Sequence, residues 1–296
     1  MADSEYEIRR CIDHLGETNA VRRIFWQMDA KVKNLIEGIQ QGDDCIVIGK
    51  SIVNMEGPYP MKIGMKTGLI HTCSDIVVMG GRPLYALNAM QVESVQQAVE
   101  VSKMLKKQSD GIGVPILGGN TQLEHGLKPC ISFCIFGELI GRKPIPDSGA
   151  QPGNKMVIIG GPIEGEIGER IRIANEKFRT FTEVVERVRI YAAKDASRGG
   201  WFGNLLEMMV KAQTGFRITS IPYPSFGRYM GNYMTCIDDE DVEKVVEIAS
   251  KYGCPVSPVG EVTEKKEIIM GRKKLINSRK MVEIIRKTPF KKPVFD

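Results

Sequence analysis

The chain has 296 residues, enough for one large domain or two of ordinary size, and its 42% hydrophobic content supports a packed core. No apolar run approaches the roughly 20 residues that span a bilayer, and the polar start MADSEYEIRR reads as no signal peptide, so a cytoplasmic protein is expected. The formal charge of +5 is modest; its excess gathers at Arg272, Lys273, Lys274, Arg279, Lys280, Arg286, Lys287, Lys291 and Lys292, where aromatic residues for base stacking are scarce. A solvated basic helix and tail is expected there rather than a nucleic-acid surface.

In chain order, Ile8, Ile12, Leu15, Val21, Ile24 and Phe25 are spaced for one buried helical face, predicting a helix over 3–38. A short strand over 45–48 follows, then a loop around Gly57-Pro58-Tyr59-Pro60. A helix over 62–79 stops at Gly80-Gly81 and Pro83. A strand over 85–92 leads to an amphipathic helix from Ser94, with Val95, Val99 and Met104-Leu105 on its buried side and Gly111 closing it. A strand over 114–117 delivers the chain into a loop, Gly118-Gly119-Asn120-Thr121, before a long strand over 130–140.

Three prolines and two glycines over 142–154 place a domain boundary there. Beyond it the spacing predicts strands at 155–159, 216–221, 232–237, 256–262 and 266–271. Helices are predicted at 163–176, 182–193, 201–212 and 239–252. Both halves read as α+β: an N-terminal domain over 1–145, a C-terminal domain over 146–275, and a basic helix and tail over 276–296.

Seven cysteines are present, with no CxxC pair. Cys130 and Cys134 are the nearest pair, but four residues along a strand separate them by about 13 Å, too far to share one zinc. Reduced, buried thiols are expected. The P-loop, GxGxxG, HExxH and GxSxG patterns are absent.

Chemistry instead gathers where glycine meets a small polar or acidic residue. In Gly42-Asp43-Asp44 two adjacent carboxylates repel by about 4 kcal/mol at 4 Å and an effective dielectric near 20, which a divalent cation would relieve. The same residues also make an ordinary acidic turn. Ser74-Asp75 lies in an otherwise apolar helix, where a carboxylate needs a partner or a cleft. The glycines of Gly118-Gly119-Asn120-Thr121 let backbone amides approach an anion. Lys194-Asp195-Ala196-Ser197-Arg198-Gly199-Gly200 enters a helix whose N-terminal amides suit a phosphate, or whose Ser197 simply caps it.

The order of these motifs, with Met79-Gly80-Gly81-x-Pro83, Gly149-Ala150-x-Pro152-Gly153-Asn154 and Val259-Gly260-Glu261-Val262-Thr263, resembles the aminoimidazole ribonucleotide (AIR) synthetase-related superfamily over roughly residues 40–270. The motif Gly-Asp-Asp is nearest to that of thiamine-monophosphate kinase. The cysteine patterns of the selenophosphate and hydrogenase-maturation branches are missing, since Cys11 lies in a helical pattern and the sequence closes Pro-Val-Phe-Asp. An uncharacterised branch is the expectation.

The resemblance implies a two-domain α+β fold that forms a homodimer through its N-terminal sheet, with ATP near the dimer interface and Mg2+ on loop aspartates. Carried onto this chain, Asp43, Asp44, Asp75 and Asp195 are the candidate metal ligands, and Gly118, Gly119, Asn120, Thr121, Gly199 and Gly200 the candidate nucleotide-binding residues. The implied activity is Mg-ATP-dependent phosphoryl transfer, or ATP activation, on a small metabolite; no side chain stands out as a general base.

Three acidic positions of the family are changed. Gly49-Lys50-Ser51 stands where Thr-Asp is usual, Asn120 replaces an aspartate, and so does Arg198. The expectation is a site with fewer metal ions, or one where Lys50 and Arg198 neutralise phosphates. The alternative is a non-catalytic nucleotide-binding or assembly protein that kept the fold.

Overall fold

The computed structural model describes residues 2–124, 126–197, 199–220 and 231–293. Helix α1 (Ala2–Phe25) ends well short of the helix predicted to residue 38. A 3-10 turn over Trp26–Lys31 and Asn34 at φ 60° reverse the chain into β1 (Leu35–Glu37). The reversal is held by Asp29, whose carboxylate accepts from the amides of Ile39 and Gln40 at 3.1 and 2.8 Å. Local side-chain hydrogen bonds of this kind compete with helix continuation.

Strand β2 (Ile46–Ile48) pairs with β3 (Ser51–Pro60) through the two-residue turn Gly49-Lys50. Residues 57–60, expected as a loop, continue β3 past a register shift between Glu56 and Tyr59; a bulge is where a strand tolerates Gly and Pro. The next helical stretch is built of α2 (Met61–Ile63), a π turn over Gly64–Gly68 and α3 (Leu69–Val78).

Strand β4 (Gly81–Val92) leads to α4 (Val95–Ile112), N-capped by Ser94, whose hydroxyl accepts from Gln97 N. This helix buries Val101, Leu105 and Gln108, while Val95 and Val99, expected inside, are exposed. Its left-handed C-cap is Gly113 rather than Gly111. Strands β5 (Ile116–Leu123) and β6 (Cys130–Leu139) complete a six-stranded sheet of order β1-β2-β3-β6-β4-β5, in which only β4 and β5 are parallel.

After residues 142–154 a second, seven-stranded sheet begins with β7 (Lys155–Ile159). The two predicted helices at 163–176 and 182–193 form one, α5 (Ile167–Arg187), and residues 190–193 belong instead to β8 (Ile190–Asp195). Burial of both faces of this edge strand and its pairing with β10 override the helical preference of Ala192-Ala193 there. Then come α6 (Gly200–Ala212), β9 (Gly215–Ile218), β10 (Tyr233–Ile237), α7 (Val242–Lys251), β11 (Val256–Thr263), β12 (Ile268–Met270), β13 (Lys273–Ile276) and α8 (Ser278–Lys287). The sheet order is β13-β12-β9-β11-β7-β10-β8.

One core joins the inner faces of both sheets: Ile52, Phe133 and Ile135 from the first meet Ile76 and Val77 of α3, Phe181 and Val184 of α5, and Tyr233 and Ile237 of the second. A second core covers the far face of the second sheet with α6, α1 and α8, where Met281 and Ile284 show that the basic terminal helix is amphipathic and docked. The other face of the first sheet is covered by none of these elements and shows Ile46, Ile48, Met55 and Leu87 to the exterior.

Candidate functional site

The site lies where the loops ahead of β2, the helix α3 and the end of β8 converge. Gly42, at φ 63°, makes the turn into β2; a Cβ there would stand 2.6 Å from the Arg22 guanidinium carbon. The two carboxylates after it diverge. Asp43 is spent on the backbone: Oδ1 accepts from Asp44 N and Oδ2 from Asp147 N, each at 2.8 Å. Asp44 faces inward, with Oδ1 receiving Lys194 Nζ at 2.6 Å and Oδ2 buried without a hydrogen-bond partner.

Asp75, 6% exposed on α3, and Asp195, 4% exposed at the end of β8, join it. One oxygen from each of Asp44, Asp75 and Asp195 lies within 4.8 Å of the other two. Asp75 Oδ2 also accepts from Asn54 Nδ2 at 2.6 Å, so β3 does contribute a polar group, but it is Asn54 and not Lys50. Burial pushes the Asp75 carboxyl well above the usual range, with Glu56 and Asp195 adding to it. Asp195 is pushed to about 8 by burial and then by Asp44. Clustered buried carboxylates with an unpartnered oxygen fit a hard divalent cation of the magnesium class, which takes oxygen donors.

Behind this triad runs a chain of buried charges. Lys194 Nζ also lies 3.3 Å from Asp147 and 3.8 Å from Glu207; Lys211 Nζ lies 2.5 Å from Asp147 and 2.9 Å from Glu207, and donates to Gly42 O at 2.7 Å. Burial raises the Glu207 carboxyl, but Lys194 and Lys211 more than offset this and hold it at about 2. Burial likewise pulls Lys194 down, and Asp44, Glu207 and Asp147 outweigh it, so its ammonium is held above the ordinary lysine range. Glu37 of β1 is fully buried with both oxygens unpartnered and is pushed to about 9, by burial first and then by Asp43 and Asp147.

On the other side of α3, Lys177 of α5 donates to Ser74 Oγ at 2.9 Å and to Gly231 O, with its Nζ 4.1 Å from the Tyr233 ring centre. Burial draws this lysine down to about 7. It also helps, after burial, to lower His71 to about 4.

The remaining sequence candidates are dispersed. Gly199 and Gly200 open α6, four and five residues beyond Asp195; the neighbours of Gly199 are Gly203 and Asn204 of α6 and Cys11 of α1. Arg198 lies outside the described residues. Lys50 is exposed at the tip of the β2–β3 turn, carried away from Asp44 by β2 at about 3.3 Å per residue. Gly118-Gly119-Asn120-Thr121 is not a loop but part of β5, exposed and hydrogen-bonded alongside Leu87, Asn88, Ala89 and Met90. Gly119, at φ 151°, is required by that pairing, because a Cβ would fall 1.7 Å from Asn88 O. Three strands separate β5 from β2, roughly 19 Å at the usual spacing, so one chain does not bring this segment to its own Asp44.

Asn54, Glu56, Asp147, Lys194, Glu207, Lys211, Glu37 and Lys177 complete the setting, and sequence reasoning assigned none of them. Lys194 stands next to Asp195, but alternation along β8 turns it to the opposite face, toward Glu207 of α6, so adjacency gave no signal for it.

Two α+β sheets around a buried carboxylate triad define the class, and the matches define the family. The chain matches the models described as AIR synthase related protein, N-terminal domain, at residues 29–139, and AIR synthase related protein, C-terminal domain, at residues 173–273. It belongs to the AIR synthase related family. An uncharacterized protein of Methanocaldococcus jannaschii is 48% identical over 98% of this chain and 99% of its own length. Selenide, water dikinase of Myxococcus xanthus is 28% identical over 47% of this chain and 45% of its own. PurL of Thermotoga maritima complexed with ATP shares the fold with a TM-score of 0.65 and 17% identity, over 89% of this chain and 47% of that one. The present chain thus spans about half the length of that PurL. The structure of a HypE–HypF complex matches with a TM-score of 0.65 and 17% identity over 84% of this chain and 95% of that chain.

Proposed function

We propose that the protein is an Mg-ATP-dependent enzyme that transfers a phosphoryl group to, or activates through ATP, a small metabolite. One observation carries this reading: Asp44, Asp75 and Asp195 each place an oxygen within 4.8 Å of the others, and Asp44 Oδ2 is buried without a partner. Relatives named as a dikinase or solved with ATP support the same direction.

Asp44, Asp75 and Asp195 would hold the cation, and the first turn of α6 would supply amides to phosphate oxygens, the Gly200 amide itself being bonded to Ser197 O at 3.0 Å. When bound, Mg-ATP supplies the transferable phosphoryl group and compensates its charge, which is the main requirement of such chemistry. The chain's own contribution is positional: Asn54 orients Asp75, Lys194 orients Asp44, and the two sheets exclude water around them.

A homodimer is part of the proposal. An antiparallel sheet ordinarily covers one face, yet this first sheet carries apolar residues on both, with Met55 71% exposed on the face opposite the core. A second copy on that face is also a means to bring Gly118-Gly119-Asn120-Thr121 to a partner's nucleotide.

Calorimetry with ATP tests the reading. Binding is expected with Mg2+ and not with EDTA, and Asp44→Ala is expected to abolish it; tight ATP binding untouched by that substitution would refute the metal assignment. A second reading, a nucleotide-binding assembly protein without turnover, is favoured by the neutral Asn54 and Asn120 at the site and on β5. Sustained ADP release over phosphorylated or amide-bearing metabolites would reject it.

A further inference from the structure

We infer that Lys194 is a resident cation that takes the place of a second divalent ion, so that the carboxylate site holds one divalent cation per chain. The inference rests on the metal reading above and adds a stoichiometry to it.

The geometry assigns the two oxygens of Asp44 to different charges. Oδ1 accepts from Lys194 Nζ at 2.6 Å, and Oδ2 is buried and partnerless. A paired metal centre needs two ions about 3.5–4 Å apart with a shared or adjacent carboxylate between them. Here the groups flanking Asp44 on the side away from Asp75 and Asp195 are already committed to ammonium groups. Asp147 lies 3.3 Å from Lys194 and 2.5 Å from Lys211, and Glu207 lies 2.9 Å from Lys211.

Lys194 is 4% exposed, and a lysine is a point charge that three acceptors can surround, so its position is set by the packing of β8 rather than by solvent. A second dication beside it would be repelled by the ammonium, and the carboxylates that touch Lys194 there, Asp147 and Glu207, are also held by Lys211. Asp75, Asp195 and the partnerless Asp44 Oδ2 are left for one ion.

The test is Mn2+ binding to the whole chain by calorimetry, with the electron paramagnetic resonance spectrum of the bound ion, with and without a non-hydrolysable ATP analogue. Wild type is expected to saturate at one Mn2+ with an uncoupled spectrum. Lys194→Met is expected to take a second, at least tenfold tighter than any second binding to wild type, while Lys194→Arg, which keeps the charge, stays at one.

Two coupled Mn2+ ions in wild type, or a folded Lys194→Met that still saturates at one, would overturn the inference and leave the metal reading standing. No Mn2+ in wild type under either condition would overturn the metal reading itself and the inference with it. Should Lys194→Met fail to fold by circular dichroism, the wild-type stoichiometry decides alone: one ion supports the inference and two overturn it.

Discussion

Lys194 Nζ and Asp44 Oδ1 meet at 2.6 Å across 150 positions of sequence, and their contact ties β8, the edge strand of the second sheet, to the turn that opens β2 of the first. With Lys211 on Gly42 O and Asp147 N on Asp43, this makes the junction of the two halves electrostatic at the same place where the carboxylate triad lies.

Removing one partner of a buried pair strands the other, at a cost of about 3–5 kcal/mol. Lys211→Met is therefore expected to destabilise the protein by that amount, since Asp147, Glu207 and Gly42 O all lose a donor. Urea unfolding checks it; a loss under about 1 kcal/mol would mean that water replaces the ammonium.

The two glycines of β5 separate structure from ligand binding. Gly119→Ala is expected to cost several kcal/mol or to detach β5, because its Cβ would overlap Asn88 O. At Gly118 the nearest atom to a new Cβ is Leu87 Cδ2 at 3.9 Å, so Gly118→Ala should change stability by no more than about 1 kcal/mol. Thermal unfolding reads both, and a weakened ATP affinity in Gly118→Ala at unchanged stability would assign that glycine to the nucleotide.

The carboxylates predict a pH dependence of known sign. Asp195 binds its proton more tightly folded, at about 8, than unfolded, near 4, so the folded state holds more protons between these values and stability falls as pH rises through that window. Glu207 acts oppositely: its pKa of about 2 stabilises the fold above the unfolded value, and that contribution is lost as pH falls toward 2. Asp195→Asn is expected to flatten the slope between about 4 and 8 in metal-free buffer, as followed by the melting temperature. Mg2+ should raise the melting temperature of wild type more at pH 8 than at pH 5.

If a second copy covers the bare face of the first sheet, a charge there prevents it. Met55→Asp is expected to convert a dimer into a folded monomer, measured by sedimentation equilibrium. A dimer that survives the substitution would place the interface elsewhere.

Several elements were readable before any coordinates, because their signals are local. The amphipathic helix from Ser94 is α4, the apolar run from 155 to 159 is β7, and the sequence of glycine–acid motifs points to the family that the matches at 29–139 and 173–273 establish. Asp44, Asp75 and Asp195 were likewise named from the chain alone and do converge. Two of the misreadings share one cause. Gly118-Gly119 looks like a turn and is a strand because β4 supplies a close-packed partner, and Ala192-Ala193 looks helical and is a strand because β10 does. Local patterns thus determined the class of fold, and the order of the glycine–acid motifs, through the family resemblance it carries, pointed to three carboxylates of the candidate site. Tertiary structure alone decided that Asp43 serves the backbone while Asp44 serves the site, and that Asn54, Lys194, Lys211 and Asp147 surround it. Those choices depend on which charges burial brings within about 4 Å, a distance set by the packing of two sheets and not by separation along the chain.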